Sequence, residues 1–380
     1  MTSAISSLRR AHGFRRDVDQ PQTPCTGTGT GTGTGSSRRT APAKTRRTGS
    51  LPTGPSPCRA RRASPDPQIR LACVTTCATV SRDLAEPSAA TAASARTWLL
   101  LEQPGPWGAK AFTSSHLDPR IGRALEAAAA GTGVRLALIR RPGRHADRHQ
   151  PQRRRVFAAH TVPGACWLRT AEVADPAELL ALDFGRLGRG ETCDFGTPHQ
   201  GEPLALVCTN AKRDRCCALL GRPLVAELAA SGAGEVWEVT HLGGHRFGPT
   251  MLVLPYGYAY ARLDAASAKG IVEAARDGRM VPRHCRGRSA FERPGQAAEL
   301  TVRSLIGEDR AEVLTVATAE GAEGRWTVRV THTDGRAWSA LVEQVAVAPA
   351  RPESCGAQPG TPTRMEVRSL HEEPHGWLPP

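Results

Sequence analysis

The chain has 380 residues, of which 39% are hydrophobic, enough for one large or two modest globular domains. It contains no apolar run long enough to span a membrane, and its first residues lack the apolar region of a secretory signal. These features predict a cytoplasmic protein that is not bound to a membrane. In that compartment the eleven cysteines are not expected to form a disulfide framework.

The net charge of +14 is concentrated near the N-terminus. Residues 1–70 hold 13 Lys and Arg against 3 Asp and Glu, whereas the rest of the chain holds 37 against 33. The 1–70 segment has low complexity and no helix or strand periodicity, so it is predicted to be a disordered basic tail. Because the remaining 310 residues are nearly balanced in charge, a nucleic-acid partner is not favoured.

An α/β domain is predicted over residues 71–200. Its elements are a strand at 95–105, a helix at 115–133, and strands at 134–143, 154–161 and 165–173. The succession of strand, helix and strand predicts a right-handed crossover that joins two parallel strands.

A second α/β domain is predicted over residues 201–290. Its elements are a strand at 203–210, a helix at 213–232, a strand at 235–242, two strands within 250–263 and a helix at 264–278. This is the element order of a thioredoxin-like fold. Gly221 and Pro223 are potential helix-breaking positions within its first helix.

A helix and a small antiparallel sheet are predicted over residues 291–350. The segments 312–319, 325–335 and 336–347 alternate apolar and polar residues, and Asp334-Gly335 is typical of a hairpin turn. The Pro-rich residues 351–380 are predicted to be a loosely ordered tail.

Potential metal ligands occur at the ends of two strands of the second domain. Cys208 ends the first strand, Cys216 and Cys217 begin the helix after it, and His241 and His245 follow the next strand. Both strand ends of a strand–helix–strand unit lie at one edge of the sheet, where ligands usually bind. We therefore expect two cysteines and the two histidines to converge there.

These residue types suit zinc or an iron–sulfur cluster. Seven or eight residues separate Cys208 from its partner, Cys216 or Cys217, which is longer than in most zinc sites. Mixed cysteine and histidine ligation of a two-iron cluster is known from Rieske centres. The alternative is that the cysteines are small buried hydrophobic residues and the histidines bond the backbone. Between the histidines, Gly243-Gly244 allows a tight curl of the loop.

Two segments, "CTNAKRDRCCALLGRPL" and "VWEVTHLGGHRFGPTMLVLPYGYAYARL", resemble the sucrase/ferredoxin-like family. The resemblance extends over about 72–360. It implies a thioredoxin-like ferredoxin whose 2Fe–2S cluster is bound by Cys208, Cys217, His241 and His245, with Cys216 as the rival of Cys217. Hydrolysis of a sugar is not expected despite the family name, because the matching segments offer no pair of positioned carboxylates.

The resulting expectation is an electron-transfer protein rather than a stand-alone enzyme, with reduction coupled to proton uptake at the histidines. The sequence has no dinucleotide-binding fingerprint, so the protein would depend on a separate reductase and electron acceptor, neither of which the sequence identifies. Three charged residues, Arg213, Asp214 and Arg246, are candidates for hydrogen-bonding the site or tuning its charge. The alternative function is a structural zinc-binding interaction module without redox activity.

Overall fold

The computed structural model describes residues 76–143, 152–318, 321 and 324–374. The predicted basic tail over 1–70 lies outside these residues. All of the described residues belong to one compact unit of the chain. None of the described helices is long and apolar enough to cross a membrane.

Within the part of the chain that the structure describes, ten strands form a large mixed sheet and four form a small antiparallel sheet. The strands of the large sheet are β1 (Thr97–Glu102), β2 (Val134–Arg140), β3 (Arg154–His160), β4 (Trp167–Val173), β5 (Thr197–Pro198), β6 (Leu204–Cys208), β7 (Glu235–Val239), β8 (Thr250–Leu254), β9 (Tyr258–Ala261) and β10 (Cys285–Arg288). The small sheet consists of β11 (Leu314–Thr318), β12 (Arg325–His332), β13 (Ala337–Ala346) and β14 (Thr363–Glu372).

The α-helices of the described residues pack against these sheets. They are α1 (Cys77–Asp83), α2 (Ala111–Ser114), α3 (Pro119–Ala129), α4 (Phe184–Gly188), α5 (Arg215–Ala230), α6 (Ala265–Arg276) and α7 (Arg293–Ile306). The described residues also include 3₁₀ turns at Pro176–Ala181 and His245–Phe247.

The strands from β6 to β9 form a thioredoxin-like unit. Strand β6 pairs in parallel with β7 through the α5 crossover, β8 lies antiparallel on the other side of β6, and β9 pairs with β8. The resulting order is β7-β6-β8-β9, and α6 follows β9. This confirms the predicted fold class, an α/β protein with a thioredoxin-like second half and a small antiparallel sheet towards its C-terminus.

The first half repeats this topology. Strands β1 and β2 are parallel and joined through α3, β3 lies antiparallel on the other side of β1, and β4 pairs with β3. The order β2-β1-β3-β4 therefore matches that of the second half strand for strand. The sequence predicted an α/β domain here, and the structure extends that prediction to an internal structural repeat.

The two repeats join edge to edge within the large sheet. Strands β2 and β7 are antiparallel, and they pair at their C-terminal ends through Ile139 with Val239 and Arg140 with Glu238. This arrangement brings together the loops that follow the strands of both repeats. The predicted domain boundary near residue 200 falls between β5 and β6 and stays a prediction.

Helix α5 continues through both of its predicted helix-breaking positions. Pro223 lies on the exposed face of the helix, where water can reach the carbonyl left without a donor. On the opposite face Leu224, Val225 and Leu228 are buried against the sheet. Apolar packing on that face holds the helix in one piece.

The C-terminal segment differs from its prediction. Residues 363–372 form β14 at the edge of the small sheet, instead of belonging to a loosely ordered tail over 351–380. Met365, Val367 and Leu370 pack against the core that β12, β13 and α7 share. Met365 and Val367 alternate along the strand, and a bulge after Val367 returns Leu370 to the same face. The abundance of proline in this region obscured that apolar face.

Candidate metal centre

The C-terminal edge of β6 and β7 positions the predicted ligands. Cys208 is the last residue of β6 and is buried. Asp214 caps α5 by accepting a hydrogen bond of 2.8 Å from the backbone N–H of Cys216, which sets Cys216 and Cys217 in the first turn of the helix. His241 lies in the loop after β7, and His245 begins the following 3₁₀ turn.

The distance between Cys208 and Cys217 depends on a close approach of α5 to β6 at Gly221. A Cβ atom at this position would lie 2.2 Å from the carbonyl oxygen of Cys208. Only glycine permits that contact without a shift of the backbone. Gly221, which looked like a potential helix-breaking position, is therefore the residue that lets the helix reach the strand.

We expect Gly221→Ala to lower the free energy of unfolding by about 1–3 kcal/mol, because α5 must move away from Cys208. The matched control is Gly270→Ala in α6, where an added Cβ meets nothing within 4 Å. The control should raise stability by about 0.5–1 kcal/mol through helix propensity alone. Urea denaturation measures the free energy of unfolding of both variants. An equal increase in stability in the two would disprove the close approach of α5 to β6.

The double glycine between the histidines accommodates a buried arginine. Gly243 and Gly244 have φ of +81° and +68°, a backbone conformation that favours glycine. A Cβ atom on Gly244 would lie 2.3 Å from Nη2 of Arg286. The Arg286 guanidinium donates hydrogen bonds of 3.0 Å to the Gly243 carbonyl and 3.0 Å to Oγ1 of Thr91, so it fixes the loop that carries the histidines.

The folded chain groups three of the four predicted ligands, and the fourth, His245, lies beside that group. One ligand atom each from Cys208, Cys217 and His241 lies within 4.8 Å of the other two. The His245 ring lies beside that of His241, with 4.9 Å between the ring centroids. Both Nδ1 atoms are buried and have no hydrogen-bond partner among the residues that the structure describes. Two thiols and two unpaired imidazole nitrogens form a donor set that fits a soft or borderline metal.

The electrostatics favour the metal-binding protonation states of Cys208 and His245, whereas the hydrogen bond with Cys208 and burial raise the pKa of Cys217. A hydrogen bond from Cys217 holds the pKa of Cys208 well below the usual value of a thiol. Burial lowers the pKa of His245, although the Asp214 carboxylate, 3.6 Å from its Nε2, opposes this shift. Burial also lowers the pKa of Arg286 to about 10, although the negative charge of the Cys208 thiolate acts to raise it. A thiolate and a neutral imidazole are the forms that coordinate metals.

Cys216 points away from this group. Its sulfur lies 3.5 Å from the sulfur of Cys77 and 3.3 Å from that of Cys355. The geometry therefore favours Cys217 over Cys216 as the partner of Cys208. The ligand role of either residue stays a prediction.

The three charged residues predicted to support the site lie around it in different ways. Arg213 is exposed, Asp214 is buried at the start of α5, and Arg246 forms ion pairs of 3.0 Å with Glu86 and 3.2 Å with Glu353. Sequence reasoning did not single out Arg286. Its segment, "RHCRGRS", has the composition of an exposed basic loop, and no sequence signal distinguishes the one arginine that packs against Gly244.

The fold and this group define an α/β protein with clustered cysteine and histidine side chains that can hold a metal. A model of the sucrase/ferredoxin-like family matches residues 88–287, and the chain belongs to that family. The match covers most of both thioredoxin-like repeats and includes all four predicted ligands. No match was found among curated proteins or among solved structures.

Proposed function

We propose that this protein transfers single electrons through a 2Fe–2S cluster bound by the sulfur atoms of Cys208 and Cys217 and the Nδ1 atoms of His241 and His245. The observation that carries the proposal is the grouping of Cys208, Cys217 and His241, with the His245 ring beside that of His241 and both Nδ1 atoms buried and unpaired among the described residues. Membership of the sucrase/ferredoxin-like family supports it. When bound, such a cluster supplies a one-electron redox couple.

The surrounding residues suit this role. Cys208 and Cys217 are buried, whereas His241 and His245 are partly exposed, so the histidine side is the shorter route for an electron from outside. The buried guanidinium of Arg286 stabilises negative charge at the site, both on the thiolates and after reduction. The nearby loop presents the exposed cations Lys212, Arg213 and Arg215, which would steer an acidic surface of a redox partner towards the site.

Visible absorption and metal content of the anaerobically purified full-length chain test this function. We expect a brown protein with two iron atoms per chain, whose visible absorption bleaches on reduction. A colourless protein that contains zinc at this site would favour the alternative, a structural zinc-binding module without redox activity.

The reduction potential is expected to fall as pH rises. Reduction adds negative charge next to the histidines and makes protonation of their second ring nitrogen more favourable, so a proton accompanies the electron. With one proton per electron the slope is about 59 mV per pH unit. The potential should also exceed that of an all-cysteine ferredoxin, because imidazole is neutral where thiolate is negative.

Potentiometric titration between about pH 5 and pH 10, a window that brackets the usual histidine range, measures the slope. His241→Cys or His245→Cys should lower the potential and flatten the slope wherever the variant still binds iron. A wild-type potential that is constant over this range would rule out titrating histidine ligands.

A further inference from the structure

A second group of cysteines lies beside the first. Cys77 begins α1, Cys216 lies in the first turn of α5, and Cys355 lies in the loop between β13 and β14. Their sulfur atoms are 3.5 Å apart for Cys77 and Cys216, 3.6 Å for Cys77 and Cys355, and 3.3 Å for Cys216 and Cys355. Cys77 and Cys216 are buried, and Cys355 is half-buried.

The three sulfur atoms form a nearly equilateral triangle, which a disulfide does not explain. A disulfide would bring two of the sulfurs to about 2.0 Å and leave the third without a partner. All three thiols are free in the structure. A tetrahedral ion with sulfur ligands at about 2.3 Å holds them about 3.8 Å apart. The observed triangle is close to one face of such a tetrahedron.

Asp214 supplies a fourth donor. Its carboxylate oxygens lie 3.8 Å and 3.9 Å from the sulfur of Cys77. The backbone N–H groups of Cys216 and Cys355 donate hydrogen bonds of 2.8 Å to this carboxylate, and Oγ of Ser354 donates one of 3.0 Å. The carboxylate is thus held in place next to the three sulfurs before any ion binds.

The position of Cys216 favours its thiolate form. The first turn of α5, a helix of 16 residues, provides a partial positive charge. A thiolate is the form of cysteine that binds metals.

We propose that Cys77, Cys216, Cys355 and Asp214 bind a structural zinc ion. Zinc favours closed tetrahedral sites rich in cysteine, and three thiolates with one carboxylate complete its coordination. The ion would link α1 and the loop before β14 to the start of α5. In the sequence, Cys216 is 139 residues from Cys77 and 139 residues from Cys355. This site is distinct from the proposed electron-transfer site and does not depend on it.

The test is zinc and iron content of the full-length chain, measured in the same sample by mass spectrometry. We expect one zinc ion per wild-type chain. Cys77→Ser and Cys355→Ser should lose the zinc and keep the iron content of the wild type. Cys285→Ser is the matched control, because Cys285 is buried but belongs to neither group, and it should keep both metals. Unchanged zinc in the Cys77 and Cys355 variants would overturn the proposal.

A cobalt titration keeps the proposal testable if a serine variant does not fold. Cobalt is added to the chelator-treated Cys208→Ser/His241→Ala variant, in which the first group has lost two of its ligands. A strong thiolate-to-cobalt charge-transfer band and intense tetrahedral ligand-field bands are expected at one equivalent. Their absence, or a disulfide between two of the three cysteines found by peptide mapping, would overturn the site.

Discussion

Cys217→Ser is expected to remove essentially all of the iron from the protein, whereas Cys216→Ser should leave the iron content unchanged. The two residues are neighbours in the first turn of α5, but their sulfurs belong to different groups. The sulfur of Cys217 lies with the sulfur of Cys208 and a ring nitrogen of His241, whereas the sulfur of Cys216 contacts those of Cys77 and Cys355. A serine hydroxyl seldom replaces a thiolate as a ligand of iron.

Iron per chain and visible absorption measure this difference, and Cys208→Ser should behave as Cys217→Ser does. Cys285→Ser controls for the loss of a buried thiol elsewhere in the sheet. If Cys216→Ser loses the iron and Cys217→Ser keeps it, the assignment within the pair is wrong. Because zinc is counted in the same samples, loss of zinc alone from Cys216→Ser separates the second site from the first.

The parts of this fold that the sequence predicted are those with strong local signals. The apolar runs of β1 and β6 and the capped helices α3 and α6 are each visible within a window of a few residues. The four predicted ligands follow from the same logic, since two strand ends of one crossover unit must share an edge. The spacing left either Cys216 or Cys217 as the partner of Cys208, and the resemblance to the family favoured Cys217.

The parts that were not predicted depend on contacts between distant residues. Cys77 and Cys355 are 278 residues apart, and nothing in the local sequence of either indicates the other. The repeat of the thioredoxin-like topology is likewise hidden, because the first repeat lacks the ligand motifs. Gly221 shows how a local rule misleads, since its role is close contact with Cys208 and not the end of a helix.

Glu238→Gln is expected to lower the free energy of unfolding by about 3–5 kcal/mol, because it leaves Arg140 as a buried charge without its counter-ion. The pair lies where β2 meets β7, at the junction of the two repeats. The Arg140 and Glu238 side chains are 5% and 4% exposed, and their closest N–O distance is 2.6 Å. Oγ1 of Thr209, the residue after Cys208, also donates a hydrogen bond of 2.6 Å to Glu238.

A double-mutant cycle with Arg140→Met and Glu238→Leu separates the ion pair from the rest of the junction. Glu238→Leu leaves the buried charge of Arg140 without its counter-ion, whereas the double replacement removes both charges. The stability lost by the double variant should therefore be smaller than the sum of the two single losses. The surface control is Glu343→Gln, since Glu343 pairs with the more exposed Arg325 and Arg368 and its loss should change little. Urea denaturation provides the free energies. If Glu238→Gln lowers the free energy of unfolding no more than this control does, then water or a rearranged junction stabilises the buried charge of Arg140. The union of the two repeats would then rest on the backbone pairing of β2 with β7 and on apolar packing, and not on this charge pair.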